Sequence, residues 1–177
     1  MSDRPSVTQI LGALGFSKYF GSHEYAMALG RAVHRAIHLA ERGTLDWATV
    51  HADLEGPLKA YRALKEWTGI EITETEIELV HPTWGYVGHP DALTDKGMLI
   101  DWKVSESPDL KTATLQLAAY KMLVEGARPG TTVSGCYVGR LGKDGSYSLH
   151  DVTSPESEQT WQACVLVYRA LEERGRV

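Results

Sequence analysis

The sequence predicts an α/β fold: helices, three strands, a helix, two strands and a last helix, the order α-β-β-β-α-β-β-α. Three observations predict it. Residues 24–42 repeat apolar side chains at helical spacing. Residues 84–105 alternate at period two about the turn Asp95-Lys96-Gly97. Residues 109–125 return to helical spacing before two strand-like segments joined by Gly142-Lys143-Asp144-Gly145.

Taken in order, residues 1–23 hold a short apolar segment, Pro5-Ser6-Val7-Thr8-Gln9-Ile10-Leu11, that reads as a helical turn or arm. From Glu24 to Arg42 one stripe carries Ala26, Leu29, Val33, Ile37 and Ala40, and Gly43 is the expected stop. Gly30, His34 and His38 step along an adjacent stripe, and Arg31 and Arg35 form another pair. Two histidines at that spacing bind a metal or simply mark a helix surface. Asp46 is placed to cap a second helix that Gly56-Pro57 interrupts, with Leu58, Tyr61, Leu64 and Trp67 as its buried face and Thr68-Gly69 as its end. Residues 71–80 read as one strand, Ile77 and Leu79 on one side and Glu76 and Glu78 on the other.

The hairpin comes next. A three-residue loop with Gly97 at positive φ pairs Thr94 with Met98 and sets Asp91 opposite Asp101. Alternation puts Tyr86, Ala92, Met98, Ile100, Trp102 and Val104 on an apolar face, and His89, Asp91, Asp101, Lys103 and Ser105 on the other. Facing carboxylates repel, and a hard divalent cation between them would reverse that sign. A solvated hairpin face is the other reading. Pro90, which donates no hydrogen bond, implies a bulge or edge at the first aspartate.

Ser107-Pro108-Asp109 opens a helix that runs to about Glu125, with Leu110, Ala113, Leu117, Tyr120 and Val124 as its stripe and Gly126 beyond its end. Gln116 and Tyr120 lie one turn apart, so their polar tips can meet. Strands follow at 131–139 and 146–152, and Ser154-Pro155 begins a last helix over 156–174.

At 177 residues the chain fits one domain, 1–177, with no repeat or linker. No apolar run nears the roughly 18 residues of a membrane span, and no secretory leader pattern opens the chain. A soluble, cytoplasmic protein with no membrane partner is expected. Cys136 and Cys164 suit buried apolar positions and form no metal-ligand pattern. Lys plus Arg is 18 against 23 Asp plus Glu, a net charge of −5. That excludes a general nucleic-acid coat protein and leaves room for an enzyme that holds phosphate through metal ions and a local basic cluster.

The motifs combine. Gly-Xaa-Xaa-Xaa-His (30–34) precedes Gly-Xaa-Xaa-Asp (88–91), which precedes Asp101-Trp102-Lys103, and Gln-Xaa-Xaa-Xaa-Tyr (116–120) follows. This combination resembles the PD-(D/E)XK nuclease superfamily in its RecB-like branch of phage, CRISPR-associated and mitochondrial genome maintenance exonucleases. The resemblance spans about residues 28–125, with the Ser6–Leu11 phrase. It implies a restriction-endonuclease-like core, a central mixed β-sheet flanked by helices. Carried over by motif, it implies Asp91, Asp101 and Lys103 as catalytic residues. His34, Asp91, Asp101 and the Trp102 carbonyl become metal ligands, and Gln116 and Tyr120 contact the site or the DNA. Glu78 matches an acidic residue that some members place before the first strand motif. The four-cysteine iron–sulfur cluster of some relatives cannot be built from two cysteines.

The implied activity is DNA phosphodiester hydrolysis with Mg²⁺ or Mn²⁺, as an exonuclease in recombination, repair or replication, bacterial or phage-encoded, beside a recombination or replication protein partner. A neutral His34 imidazole tilts the site toward Mn²⁺. Lys103 orients water or steadies the phosphate, and Arg31 and Arg35 either meet the DNA backbone or form a solvated helix face. Two alternatives stand beside this reading: a catalytically silent nuclease-fold module that binds DNA or protein, and an unrelated α/β protein with a charged surface.

Overall fold

The computed structural model describes residues 4–16 and 24–177; the rest of the arm expected over 1–23 lies outside the described residues. Helix α1 (Val7–Ala13) begins in a reciprocal cap. The Ser6 hydroxyl accepts from the Gln9 N–H at 3.2 Å, and the Gln9 side chain accepts from the Ser6 N–H at 2.7 Å. Helix α2 (Glu24–Glu41) buries Leu29, Val33, Ala36 and Ile37, and Gly43 follows at φ +67° as expected.

The second helix departs from expectation at both landmarks. Asp46 caps only a 3-10 turn at Trp47–Thr49. Helix α3 (Ala52–Thr68) starts after His51 and runs unbroken through Gly56-Pro57. Packing explains the glycine: a Cβ there would lie 1.8 Å from the Lys143 carbonyl oxygen. Trp67, expected in the buried face, is 66% exposed. Gly69 ends the helix in the left-handed conformation.

The segment expected as one strand over 71–80 is two: β1 (Ile72–Thr75) and β2 (Leu79–Val80). Glu76 lies between them with φ +52°, a left-handed value unusual for a residue with a side chain. The chain also breaks on the return, so that β3 (Val87–Gly88) and β4 (Ala92–Thr94) are separated by His89-Pro90-Asp91. Strands β2 and β3 form a small sheet of their own, while β1 and β4 join β5 (Met98–Lys103) in the main one. The hairpin is therefore bent at a corner, because Pro90 cannot donate to a ladder. Tyr86 accordingly lies apart from Ala92, Ile100 and Trp102, in the opposite core.

Helix α4 (Leu110–Ala127) is capped by the Asp109 carboxylate. It extends past Gly126, which sits inside the helix because the His81 ring presses there; a Cβ would meet Nε2 at 2.6 Å. Strands β6 (Gly135–Leu141) and β7 (Tyr147–Asp151) and helix α5 (Pro155–Glu172) complete the chain. The main sheet has the order β1-β4-β5-β6-β7, with β5 and β6 parallel and the other neighbours antiparallel.

This is a mixed α/β fold with a central mixed sheet flanked by helices. Leu93, Leu99, Cys136 and Val138 pack under α1, α4 and α5, and Ala92, Ile100, Trp102 and Leu141 pack under α2 and α3. Both faces of the hairpin are thus covered; the face expected to be polar holds Asp101 at 1% exposure. Cys136 and Cys164 are free and buried, as expected. No described helix is long and apolar enough to cross a membrane.

Candidate active site

The hairpin register agrees with the sequence reading over Ala92, which pairs with Ile100, and Leu93, which pairs with Leu99; the ladder stops there, one residue short of Asp91 and Asp101. Gly97 takes φ +72° in the turn. Beyond Ala92 the partner strand is lost at Pro90, and Trp102 would leave its N–H and C=O unpaired on that edge, a costly state for backbone groups in an interior. Side chains fill the gap. The Trp102 N–H donates to Asp91 Oδ2 at 2.8 Å, and His34 Nε2 lies 2.8 Å from the Trp102 carbonyl oxygen. His34 Nδ1 is 3.3 Å from Asp91 Oδ1. An imidazole from α2, a carboxylate from the corner and a backbone carbonyl from β5 therefore converge.

The core holds this backbone in place. The Trp102 indole is 1% exposed and meets Tyr61 edge-on at 5.1 Å. It lies so close over β6 that a Cβ on Gly139 would be 2.4 Å from the ring. Gly88, three residues before Asp91, admits the Tyr120 ring, since a Cβ there would meet it at 2.8 Å. The Tyr120 hydroxyl accepts from Gln116 Nε2 at 3.0 Å, and Gln116 Oε1 lies 3.5 Å from Lys103 Nζ. Lys103 Nζ stands 2.8 Å from Asp101 Oδ2. That contact is an ion pair without hydrogen-bond alignment, and Asp101 Oδ2 has no aligned donor among the described residues.

Electrostatics follow from burial. Desolvation disfavours the His34 cation, yet the Asp91 charge and hydrogen bond, Asp101 and the Trp102 carbonyl together raise its pKa to about 9. His34 is thus an imidazolium at neutral pH when no metal is bound. Burial pushes the Asp101 carboxyl up to about 6 despite Lys103, with Asp91 adding repulsion. Asp91 is held below its ordinary value, because His34, Lys103 and the Trp102 N–H outweigh burial.

Sequence reasoning missed one member of the cluster. Glu76, not Glu78, reaches the site, with Oε1 3.9 Å from His34 Nδ1. Among the described residues, His34, Glu76 and Asp91 offer ligand atoms within 4.8 Å of one another. Burial and Asp91 raise the Glu76 pKa. Glu78 points away, with 76% of its side chain exposed and His89 Nε2 at 3.9 Å. The only sequence signal was an acid one step off strand alternation, which the left-handed turn at Glu76 redirects. Arg31 and Arg35 are exposed and line a cleft of about 300 Å³ with His34, His38, Glu76 and Asp91. His38 itself turns to Thr75, Nδ1 to Oγ1 2.6 Å.

Two carboxylates, Glu76 and Asp91, and the His34 imidazole form a hard-to-borderline donor set that suits a divalent cation.

Solved exonuclease structures share this fold. A candidate exonuclease of Eubacterium rectale superposes with a TM-score of 0.59 at 12% identity, covering 96% of this chain and 74% of its own. The alkaline exonuclease of Laribacter hongkongensis superposes with a TM-score of 0.53 at 15% identity, covering 98% of this chain and 89% of its own. No protein-family model matches the sequence, and no curated protein matches it by sequence.

Proposed function

We propose that this chain is a divalent-metal-dependent deoxyribonuclease of the PD-(D/E)XK superfamily, in its RecB-like branch, working as an exonuclease in DNA recombination, repair or replication. One observation carries the reading: at the edge of β5 left open by Pro90, His34 from α2 meets the Trp102 carbonyl and Asp91 meets the Trp102 N–H, and these flank the Asp101–Lys103 pair of the same strand. The likeness in fold to the two exonucleases supports it.

In this reading His34, Asp91, Asp101 and the Trp102 carbonyl hold Mg²⁺ or Mn²⁺, with Glu76 as a further oxygen donor. The bound ion supplies a water of lowered pKa and neutralises charge on the phosphate. Lys103, kept beside Asp101 and Gln116, steadies the phosphate oxygens as a point charge. Gln116 and Tyr120 fix the direction of the Lys103 chain from α4. Arg31 and Arg35 approach the DNA backbone along the charged cleft. To hold the ion His34 would have to lose a ring proton, so proton and metal would compete for one imidazole nitrogen.

The test is incubation with end-labelled linear and closed circular DNA, with Mg²⁺, Mn²⁺ or EDTA, beside Asp101→Ala and Lys103→Ala. Metal-dependent loss of linear DNA that spares circles is expected, reduced at least about a hundredfold in either variant. Undiminished cleavage in both variants overturns the site; cleavage of circles removes the exonuclease reading and keeps the nuclease.

A further inference from the structure

A separate cavity of about 480 Å³ opens one strand away from Lys103. Strand register places it. Strands β5 and β6 run parallel with Lys103 beside Arg140, and neighbouring strands lie about 5 Å apart. Arg140 lines this cavity with Ser105, Ser146, Lys143 and two carboxylates, Glu106 and Asp144. Ser105 also lines the cleft that contains Lys103 and Gln116, so the two spaces share a wall.

The Arg140 guanidinium is half-buried and held from one side. Its Nε donates to Ser148 Oγ at 3.2 Å and its Nη2 to Ser146 Oγ at 3.1 Å. Ser148 in turn contacts His150 Nε2 at 2.8 Å. Among the described residues Arg140 forms no ion pair, whereas half-buried Arg128 is closed by both oxygens of Glu74. Asp144 connects to it through Ser146, accepting from the Ser146 N–H at 2.9 Å and from its hydroxyl. Lys143 lies at the rim, its Nζ 5.2 Å over the Tyr25 ring.

A guanidinium partly withdrawn from water, oriented by two hydroxyls and still holding unspent donors, matches the paired oxygens of a phosphate. Within the β6–β7 turn its charge also helps Ser146 to hold the Asp144 carboxyl below the usual range. We propose that this cavity is a phosphate subsite, in which Arg140 binds a phosphate of the DNA strand other than the one being hydrolysed. This rests on the nuclease reading above. It places strand contacts on the opposite side of Lys103 from the Arg31–Arg35 cleft, which lets a protein of net charge −5 hold a polyanion through two local basic patches.

The test is fluorescence anisotropy of labelled single-stranded 12-mers, with Ca²⁺ in place of the catalytic ion, across a salt series. Arg140→Gln is expected to weaken binding about tenfold and to reduce the slope of log K against log salt by about 0.7, one single-strand phosphate contact. Arg140→Lys keeps the slope and loses less affinity, which also serves should the glutamine variant fail to fold. Oligonucleotides with and without 5′- or 3′-phosphate identify the source. If removing one end phosphate weakens wild type as Arg140→Gln does, and leaves that variant unchanged, the bound group is terminal; if neither removal matters, it is internal. Wild-type affinity and slope in both variants of a protein that still cuts DNA overturn the subsite alone. A wild type that neither binds nor cuts DNA overturns the nuclease reading and the subsite with it.

Discussion

The Glu74–Arg128 pair ties β1 to the end of α4 near the surface, and the Asp101–Lys103 pair joins two residues of β5 in the interior. In the first, two hydrogen bonds from the guanidinium hold the Glu74 carboxyl below its usual range, and Glu74 raises Arg128 in return. Each partner stabilises the charged form of the other. In the second, burial drives Asp101 up to about 6 although an ammonium stands 2.8 Å away, and Asp91 repels it further. Around that pair Glu76 is raised and His34 is recruited as a cation. The surface pair is complete in itself. The largely buried Asp91 and Asp101, with the exposed Glu76 beside them, set three carboxylates against one lysine and one imidazolium, an arrangement short of positive charge that a divalent ion would complete.

The largest effect that sharpens this contrast is on Asp101. Asp101→Asn is expected to remove hydrolysis by at least about a hundredfold while stabilising the metal-free protein at pH 8, where the native carboxylate is ionised against its surroundings. About 1–3 kcal/mol is involved, from one to two pKa units at 1.36 kcal/mol each, which raises the melting temperature by several degrees. A lower melting temperature in the metal-free variant would show that Asp101 is held favourably without an ion, and the contrast would collapse.

Next in size is the coupling between proton and metal. His34 has a folded pKa of about 9, above its ordinary 6.5, so its contribution to stability is complete below about pH 6.5 and is lost as pH rises through 9. Asp101, raised to about 6 from 3.8, contributes in the same direction: its share is present below about pH 3.8 and lost as pH rises through 6. Asp91, held low, runs the other way and loses its contribution only in acid. The metal-free protein is therefore expected to weaken between about pH 6 and 9. Mn²⁺ at a hundred times its Kd should restore about 2.7 kcal/mol. Its affinity should rise with pH up to about 9, by at most about tenfold per unit, with a proton released on binding. Calorimetry in buffers of different ionisation enthalpy measures that proton; none released at pH 7.5 in wild type, or the same release in His34→Ala, would remove His34 from the ligand set.

How much of this was legible in sequence depends on the length of each element. The hairpin register at Ala92 and Leu93 followed from a three-residue turn and period-two alternation, both local rules. The Gln116–Tyr120 contact followed from helical spacing and is made at 3.0 Å. Glu76 was not legible, because its position depends on one left-handed residue that no glycine or asparagine announces. Two-residue strands such as β2 and β3 carry too few positions to show a period, so Tyr86 was assigned to the wrong core. Gly56 and Gly126 read as helix breaks or stops, but both are close-contact sites against Lys143 and His81 from distant parts of the chain. Tertiary approach, invisible to spacing rules, decided those positions. Trp67 looked buried by periodicity, yet the helix turns it to solvent beside Tyr147, ring centroids 6.1 Å apart.

The smallest expected effect completes the comparison from the other side. Glu74→Gln leaves Arg128 at 30% side-chain exposure with water to solvate it, so the loss should stay within about 1 kcal/mol and shrink as salt is raised. The Glu74 charge is matched at close range by Arg128, so nuclease rate and Mn²⁺ affinity should remain at wild-type values. Thermal melting at low and high salt, with one metal titration, measures both. A drop in Mn²⁺ affinity with this variant would mean that the surface pair and the buried group share one electrostatic network, since a pair that neutralises itself has no field left to send inward.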